Sequence, residues 1–317
     1  MSFSSNVKNE ISKIYIEDTC CQKAELSALI KLTGTIQIAG NNEIGIRLTT
    51  ENAAIARRIF SLLKTNYSIH TRVTMTKNRQ FRRKYSYTLL IGAENSSEKL
   101  LLSLGILRTG TGIRINNRIP KEIITDDCCK KAYLRGVFLG GGSISDPEKT
   151  YHIEIVTDNK PFATDIMNLI NTYGLNAKIV KRKNSYVVYM KESENIVDFL
   201  NIIGAHNALL NIENIRIFKE MRNNVNRLVN CETANLSKTV NAAMRQINNI
   251  QYIKDNMGLK KLPKSLRDMA ELRLLHRDYS LSELGEVMNP PIGKSGVNHR
   301  LRRLDQIAED LKNKSHL

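Results

Sequence analysis

The chain has 317 residues, enough for about two domains, and 41% of them are apolar, enough for packed cores. Lys and Arg number 48 against 31 Asp and Glu, a formal net charge of +17, which favours a polyanionic partner. No apolar run approaches the roughly 18 residues of a membrane span, so nucleic acid is favoured over a bilayer.

The opening MSFSSNVKNEISK lacks the apolar centre of a signal peptide, and the expectation is a cytoplasmic protein. Five cysteines follow along the chain, Cys20, Cys21, Cys128, Cys129 and Cys231. An odd count in a cytoplasmic chain argues against a disulfide framework. The adjacent pairs raise the possibility of zinc, but zinc ligands are usually spaced by two or more residues and no histidine cluster accompanies them. They are therefore read as buried helix residues, with no metal and no cofactor expected.

The pairs also reveal an internal repeat. Residues 20–36 read CCQKAELSALIKLTGTI and residues 128–144 read CCKKAYLRGVFLGGGSI, with identities Cys20/Cys128, Cys21/Cys129, Lys23/Lys131, Ala24/Ala132, Leu26/Leu134, Gly34/Gly142 and Ile36/Ile144. Ala24 and Ala28, and Ala132, Gly136 and Gly140, are spaced by four, which lines small residues along one helix face where two backbones can meet. After the first motif the pattern predicts strands at 35–38 and 44–49, a helix at 52–63, strands at 71–76 and 85–91, and a helix at 96–104. After the second it predicts a strand at 151–157, a helix at 161–173, strands at 178–181 and 186–190, and a helix at 194–203. Each copy is thus an α+β unit of order αββαββα with an antiparallel sheet, and two copies make a pseudo-two-fold.

No Asp or Glu occurs from Asn52 through Ala93, while Arg57, Arg58, Lys64, Arg72, Lys77, Arg79, Arg82, Arg83 and Lys84 all do. A shorter acid-free run, Ile166 to Lys191, carries Lys178, Lys181, Arg182, Lys183 and Lys191. Arg72, Lys77, Arg79, Arg82, Arg83, Lys84, Lys181, Arg182 and Lys183 fall on the second strand pair of each copy and its loop, and are expected to meet phosphates.

From Asn211 to Asn256 the chain is helical, polar and rich in Asn, the pattern of a helix bridging two units. Beyond Gly258 and Pro263, Leu266, Met269, Ala270, Leu272 and Leu275 predict a buried helix face. Ser280 and Glu283 form a capping-box signature before a second stripe of Leu281, Leu284, Val287 and Met288. Asn289-Pro290-Pro291-Ile292-Gly293 must end that helix. A third begins near Lys294 with Val297, Leu301, Leu304, Ala308 and Leu311 on one side. Ser295, Asn298, His299, Arg302 and Arg303 fall on the other, residue types suited to base edges. His299 has no nucleophile or orienting acid near it in sequence, so a catalytic role is discounted.

Leu134 to Gly142, LRGVFLGGG, resembles the LAGLIDADG motif of homing endonucleases, and the three C-terminal helices resemble the DNA-binding region four of bacterial sigma factors. The first resemblance implies two motif helices packed between two αββαββα halves whose sheets form a saddle for DNA. It also implies an acid at the eighth motif position of each helix, where this chain has Thr33 and Gly141. Neither holds a hard cation as a carboxylate does. Asp146 lies just beyond the second motif and the first copy has no counterpart before Glu43. The whole order, including Asn230-Cys231-Glu232-Thr233-Ala234-Asn235 in the linker, resembles the WhiA family. That resemblance implies roles in cell division, chromosome segregation and, in some relatives, sporulation. The domains expected are 1–107 and 108–210 for the repeats, 211–257 for the linker and 258–317 for the helix-turn-helix. The expectation is a non-enzymatic regulator or nucleoid factor, monomeric, on double-stranded DNA, with another transcription regulator as a candidate partner. Two alternatives stand beside it: an active metal-dependent endonuclease, and a protein-interaction module with DNA binding only in the C-terminal region.

Overall fold

A computed structural model describes residues 2–38, 44–77, 85–92, 97–109 and 114–314. The chain forms two compact units, one up to Phe218 and one from Lys219 onward.

In the first unit α1 (Phe3–Ile11) is capped by Ser2, whose hydroxyl accepts from the Ser5 amide at 3.2 Å. The first repeat then runs α2 (Thr19–Thr33), β1 (Gly34–Ile38), β2 (Ile44–Thr50), α3 (Ala53–Tyr67), β3 (Arg72–Lys77), β4 (Tyr85–Ile91) and α4 (Ser97–Ser103). A short hairpin of β5 (Leu107–Arg108) and β6 (Arg114–Ile115) leads to the second repeat. That repeat runs α5 (Asp127–Gly141), β7 (Gly142–Ile144), β8 (Ile153–Thr157), α6 (Lys160–Asn171), β9 (Lys178–Arg182), β10 (Ser185–Met190) and α7 (Ser193–Ile203). Both sheets are antiparallel and share one topology, β1-β2-β4-β3 and β7-β8-β10-β9. The fold is the expected α+β pair of αββαββα repeats. Equivalent asparagines start the second helix of each: Asn52 Oδ1 accepts from the Ala54 amide and Asn159 Oδ1 from the Phe162 amide.

The two motif helices pack against each other at the centre. Ala24, Ala28, Ala132 and Gly136 are buried there. A Cβ on Gly136 would collide with the carbonyl oxygen of Glu25 and stand 2.9 Å from the Ala28 Cβ, so only glycine permits this approach. Replacing Gly136 by leucine is expected to destabilise the unit by about 1–3 kcal/mol or more, because overpacking against a backbone outweighs the up to ~1 kcal/mol gained in helix propensity. Urea unfolding of the variant checks this, and a stability gain would show that the helices can part without cost.

The second unit contains α8 (His206–Asn256) from Lys219 onward, a single 3-10 turn at Leu259–Lys261, α9 (Lys264–Leu275), α10 (Leu281–Val287) and α11 (Lys294–Lys314). Its core gathers Ile250 and Ile253 of α8 with Leu266, Met269, Ala270, Leu284, Met288, Val297, Leu301, Leu304 and Ala308. Two residues expected in the buried stripes lie outside: Leu275 is 75% exposed and Val287 50% exposed. Each sits at the last turn of its helix, where helical periodicity continues but no neighbouring element covers it. Buried Arg273, which no stripe predicts, donates to Gln246 Oε1 and to the Tyr279 carbonyl, satisfying its guanidinium inside the core. The cysteine expectation also needs correction. Cys21 and Cys129 are buried, but Cys20 and Cys128 are exposed, because adjacent helical positions differ by about 100° and cannot both face the core.

Candidate nucleic-acid interface

The helix-turn-helix is held by local chemistry. Ser280 Oγ accepts from the Glu283 amide at 3.3 Å and the Glu283 carboxylate accepts from the Ser280 amide at 2.7 Å, completing the capping box. These bonds hold the Glu283 carboxyl below the usual carboxylate range. The turn after α10 folds back so that the Ile292 amide donates to the Gly285 carbonyl at 3.0 Å. Any Cβ on Gly285 would strike the Ile292 carbonyl oxygen, which explains a glycine inside a seven-residue helix.

On α11 the apolar side is buried as predicted, with Val297, Leu301, Leu304 and Ala308 at 1% exposure or less. Ser295, His299, Arg302 and Arg303 are exposed and Asn298 is half-buried. The i, i+3, i+7 spacing of Ser295, Asn298 and Arg302 sets them along one face, with His299 and Arg303 beside it. Arg303 Nη1 donates to Gln306 Oε1 at 3.1 Å within the helix. Arg300 turns away from this face and reaches the Ser265 carbonyl at 3.5 Å.

In the first unit, cross-strand register decides which basic residues share a face. Thr35, Arg47, Leu90 and Arg72 stand opposite one another across all four strands of the first sheet, on the side away from the buried row of Ile46 and Ile91. The next row, Thr49, Thr88 and Thr74, shares that open side, and neither row holds an acid. Arg72 is therefore on the open face. Lys77, five residues on and paired with Tyr85, has the opposite parity. Arg79, Arg82, Arg83 and Lys84 lie outside the described residues. Arg47 belongs to this face although the acid-free run did not include it; alternation along β2 was the signal that would have found it.

The second sheet repeats the geometry with different electrostatics. Its rows on that side are Ser143, Glu154, Tyr189 and Lys178, then Val156, Val187 and Val180, of which Val187 is buried between its exposed neighbours. Arg182 shares this side but pairs with Glu154, Nη2 to Oε1 at 3.3 Å, and His152 Nε2 lies 2.7 Å from the same oxygen. The His152 hydrogen bond, reinforced by Arg182, holds the Glu154 carboxyl below its ordinary range. Lys181, opposite Tyr186, has the helix-side parity, and Lys183 sits in the turn with φ 54°. The matching basic runs thus do not make matching surfaces: among the described residues, the first open face carries Arg47 and Arg72 with no ion-pair partner beside threonines and Leu90, and the second is partly neutralised and apolar.

At the end of α2, Thr33 Oγ1 turns back to its own helix and donates to the Leu29 carbonyl at 2.8 Å. At the end of α5, a Cβ on Gly141 would come 2.9 Å from the Val156 carbonyl oxygen and 3.1 Å from Leu32 Cδ2. A carboxylate at Gly141 would thus have to displace backbone. A groove of about 1050 Å³ beside Thr33 and Gly140 is lined by Ser4, Lys8 and Glu51 among others, and burial lowers the Lys8 amine to about 8. Among the described residues, the only group of three or more His, Cys, Asp or Glu side chains close enough to share an ion is the four cysteines Cys20, Cys21, Cys128 and Cys129.

Comparison with known proteins fits this architecture. Residues 19–107 match the WhiA N-terminal LAGLIDADG-like domain, 130–222 the WhiA LAGLIDADG-like domain, and 225–308 the WhiA C-terminal HTH domain. A protein of Alkaliphilus metalliredigens named "Probable cell division protein WhiA" is 55% identical over 99% of this chain and 100% of its own length. The chain belongs to the WhiA family. A Clostridium botulinum WhiA of the same name is 55% identical over 98% of this chain and 99% of its own. The crystal structure of full-length DUF199/WhiA from Thermatoga maritima superposes with a TM-score of 0.60 at 28% identity, covering 98% of this chain and 99% of that one. A structure of the N-terminal LAGLIDADG domain of DUF199/WhiA shares the fold at a TM-score of 0.51, 22% identity, 64% of this chain and 90% of that one. The described helices contain no span long and apolar enough to cross a membrane.

Proposed function

We propose that this WhiA-family protein is a non-enzymatic binder of double-stranded DNA that regulates transcription or organises the nucleoid during cell division and chromosome segregation. The observation that carries the reading is the outward face of α11, where Ser295, Asn298, His299, Arg302 and Arg303 are presented by a helix whose other side is locked in the core. The net charge of +17 supplies the long-range attraction to a polyanion. Relatives are named as probable cell division proteins, which supports the cellular role. Against nuclease action stand the back-bonded Thr33 hydroxyl and the crowded Gly141, which leave no carboxylate pair to hold a metal against a scissile phosphate. A nicking assay on supercoiled DNA with Mg²⁺ is expected to show no cleavage.

In this reading the first sheet's open face grips phosphate and α11 reads bases. Binding of the full chain to duplex DNA is expected to weaken steeply as salt rises. Replacing Arg47 and Arg72 together by alanine is expected to weaken binding to all sequences alike and to flatten the log K against log salt slope by about one per lost phosphate contact. An unchanged slope would leave DNA contact to the C-terminal unit and favour a protein partner for the saddle.

A further inference from the structure

We propose that Cys20, Cys21, Cys128 and Cys129 form a tetrathiolate site for a single thiophilic metal ion, zinc foremost, on the pseudo-two-fold axis of the first unit. This goes beyond the DNA-binding reading and does not depend on it.

The four sulfurs all lie within 4.8 Å of one another, and the buried pair, Cys21 and Cys129, stands at 3.9 Å. Four sulfurs each about 2.3 Å from one zinc ion occupy tetrahedron corners about 3.8 Å apart. Small side-chain rotations close the difference. In a [4Fe–4S] cluster each thiolate binds a different iron of a larger core, and in a [2Fe–2S] cluster only the two thiolates of one iron stand this close, so either cluster needs cysteines further apart than these four. Hard cations such as Mg²⁺ or Ca²⁺ prefer oxygen donors.

The site's construction follows from the repeat. In α2 the cysteines are the second and third residues of the helix, and in α5 they hold the same two positions. Packing the two helices face to face brings the two pairs together, two ligands from each half. Spacing rules for zinc motifs assume that one segment supplies neighbouring ligands at intervals; here a pseudo-two-fold replaces the interval. The chance that four cysteines converge merely as core filler is reduced by Cys20 and Cys128, which are exposed and so contribute little to the core while giving an ion access from solvent.

The environment suits a bound cation with thiolate ligands. Both helix N-termini point their partial positive charge at the sulfurs, which favours the net negative charge of a zinc tetrathiolate. Binding releases the four thiol protons to solvent. The site is structural rather than catalytic: from Cys21 to Thr33 is twelve helical residues, roughly 18 Å along the axis. The ion would thus clamp the two repeats at the end of the helix pair remote from the strands that open at Gly34 and Gly142.

The test uses the full chain, reduced and stripped of metal, titrated with Zn²⁺ against a chromophoric chelator. About one tight equivalent per chain is expected, and Co²⁺ should give the intense visible bands of tetrahedral thiolate coordination. The variant with Cys20→Ser and Cys128→Ser, which alters only exposed side chains, is expected to lose the tight equivalent and the bands. Cys231→Ser, on an exposed stretch of α8, is expected to keep both. Circular dichroism of the double variant shows that it is folded. The proposal is overturned by four thiols that react freely with no zinc or cobalt bound, by a disulfide between these cysteines in protein purified under reduction, or by metal retained in the double variant. DNA binding by the metal-free chain would leave the proposal intact, since the two readings fail separately.

Discussion

Replacing Glu25 by alanine is expected to destabilise the first unit by about 3–5 kcal/mol, the cost of leaving buried charge without its partner. Glu25 is wholly buried on α2 and accepts from two arginines. Arg58 of α3 approaches with Nε at 2.6 Å from Oε1 and Nη2 at 3.2 Å from Oε2, a two-point grip. Arg135 of α5 reaches Oε2 at 3.4 Å from the other repeat. The same guanidinium groups also hold backbone: Arg58 donates to the Ile14 carbonyl and Arg135 to the Ile203 carbonyl. Removing the carboxylate leaves two cations, each 12% exposed, facing each other across an apolar interface. Because the chain has two units, the measurement must follow the first unit's own transition, for instance hydrogen exchange of α2 and α5 in urea. A loss under about 1 kcal/mol would mean that water or rotated arginines compensate. In a double-mutant cycle, Glu25→Leu with Arg58→Leu should cost less than the sum of the singles, since the Glu25–Arg58 pair is removed together and Arg135 alone is left without its carboxylate.

None of this cluster was legible in the sequence. Glu25 and Arg135 are 110 residues apart and Arg58 sits in a basic run that reads as surface. What the sequence carried well was whatever depends on local period and register. The Cys, Ala and Gly identities at a constant offset gave the two motif helices and the small-residue seam, and Gly136 is tight for the reason its spacing implied. The capping box at Ser280 and the break before α11 were written in four or five adjacent residues. Elements too short for a period escaped: α1 has nine residues, and the strands of the β5–β6 hairpin two each. The start of α8 at His206, ahead of the expected Asn211, escaped because the preceding Gly204 reads as a break. Gly204 is in fact the left-handed cap of α7, φ 83°, and the new helix begins two residues later. The faces of the basic strands required pairing information. Charge counts placed Lys77 and Lys181 beside Arg72 and Arg182, whereas a two-residue period puts them on opposite sides of their sheets.

That distinction sharpens the second large effect expected, at α11. Replacing Arg302 by alanine together with Asn298 by alanine is expected to reduce preference for the cognate site over random duplex by about thirtyfold or more, in keeping with ~1–3 kcal/mol for each of two bidentate base contacts. Arg302 is free to form such a contact, being exposed and bound in no ion pair or hydrogen bond among the described residues, whereas Arg303 already shares a bond with Gln306. Arg303→Ala should therefore have the smaller effect of the two arginines. The apolar side of α11, with Leu301 and Leu304 at 1% exposure, is untouched by these changes, so the fold of the unit should survive and thermal unfolding should be nearly unaltered. The target is found first by selecting bound sequences from a random duplex pool with the wild-type chain, and the variants are then measured on the selected site and on random DNA at one salt concentration. A parallel loss on both would make α11 a phosphate-gripping helix, equivalent in kind to the Arg47 and Arg72 row. Loss confined to the selected site divides the labour as proposed: the N-terminal saddle supplies sequence-blind affinity, and a single exposed helix face, fixed by one capping box and one glycine turn, supplies the choice of sequence.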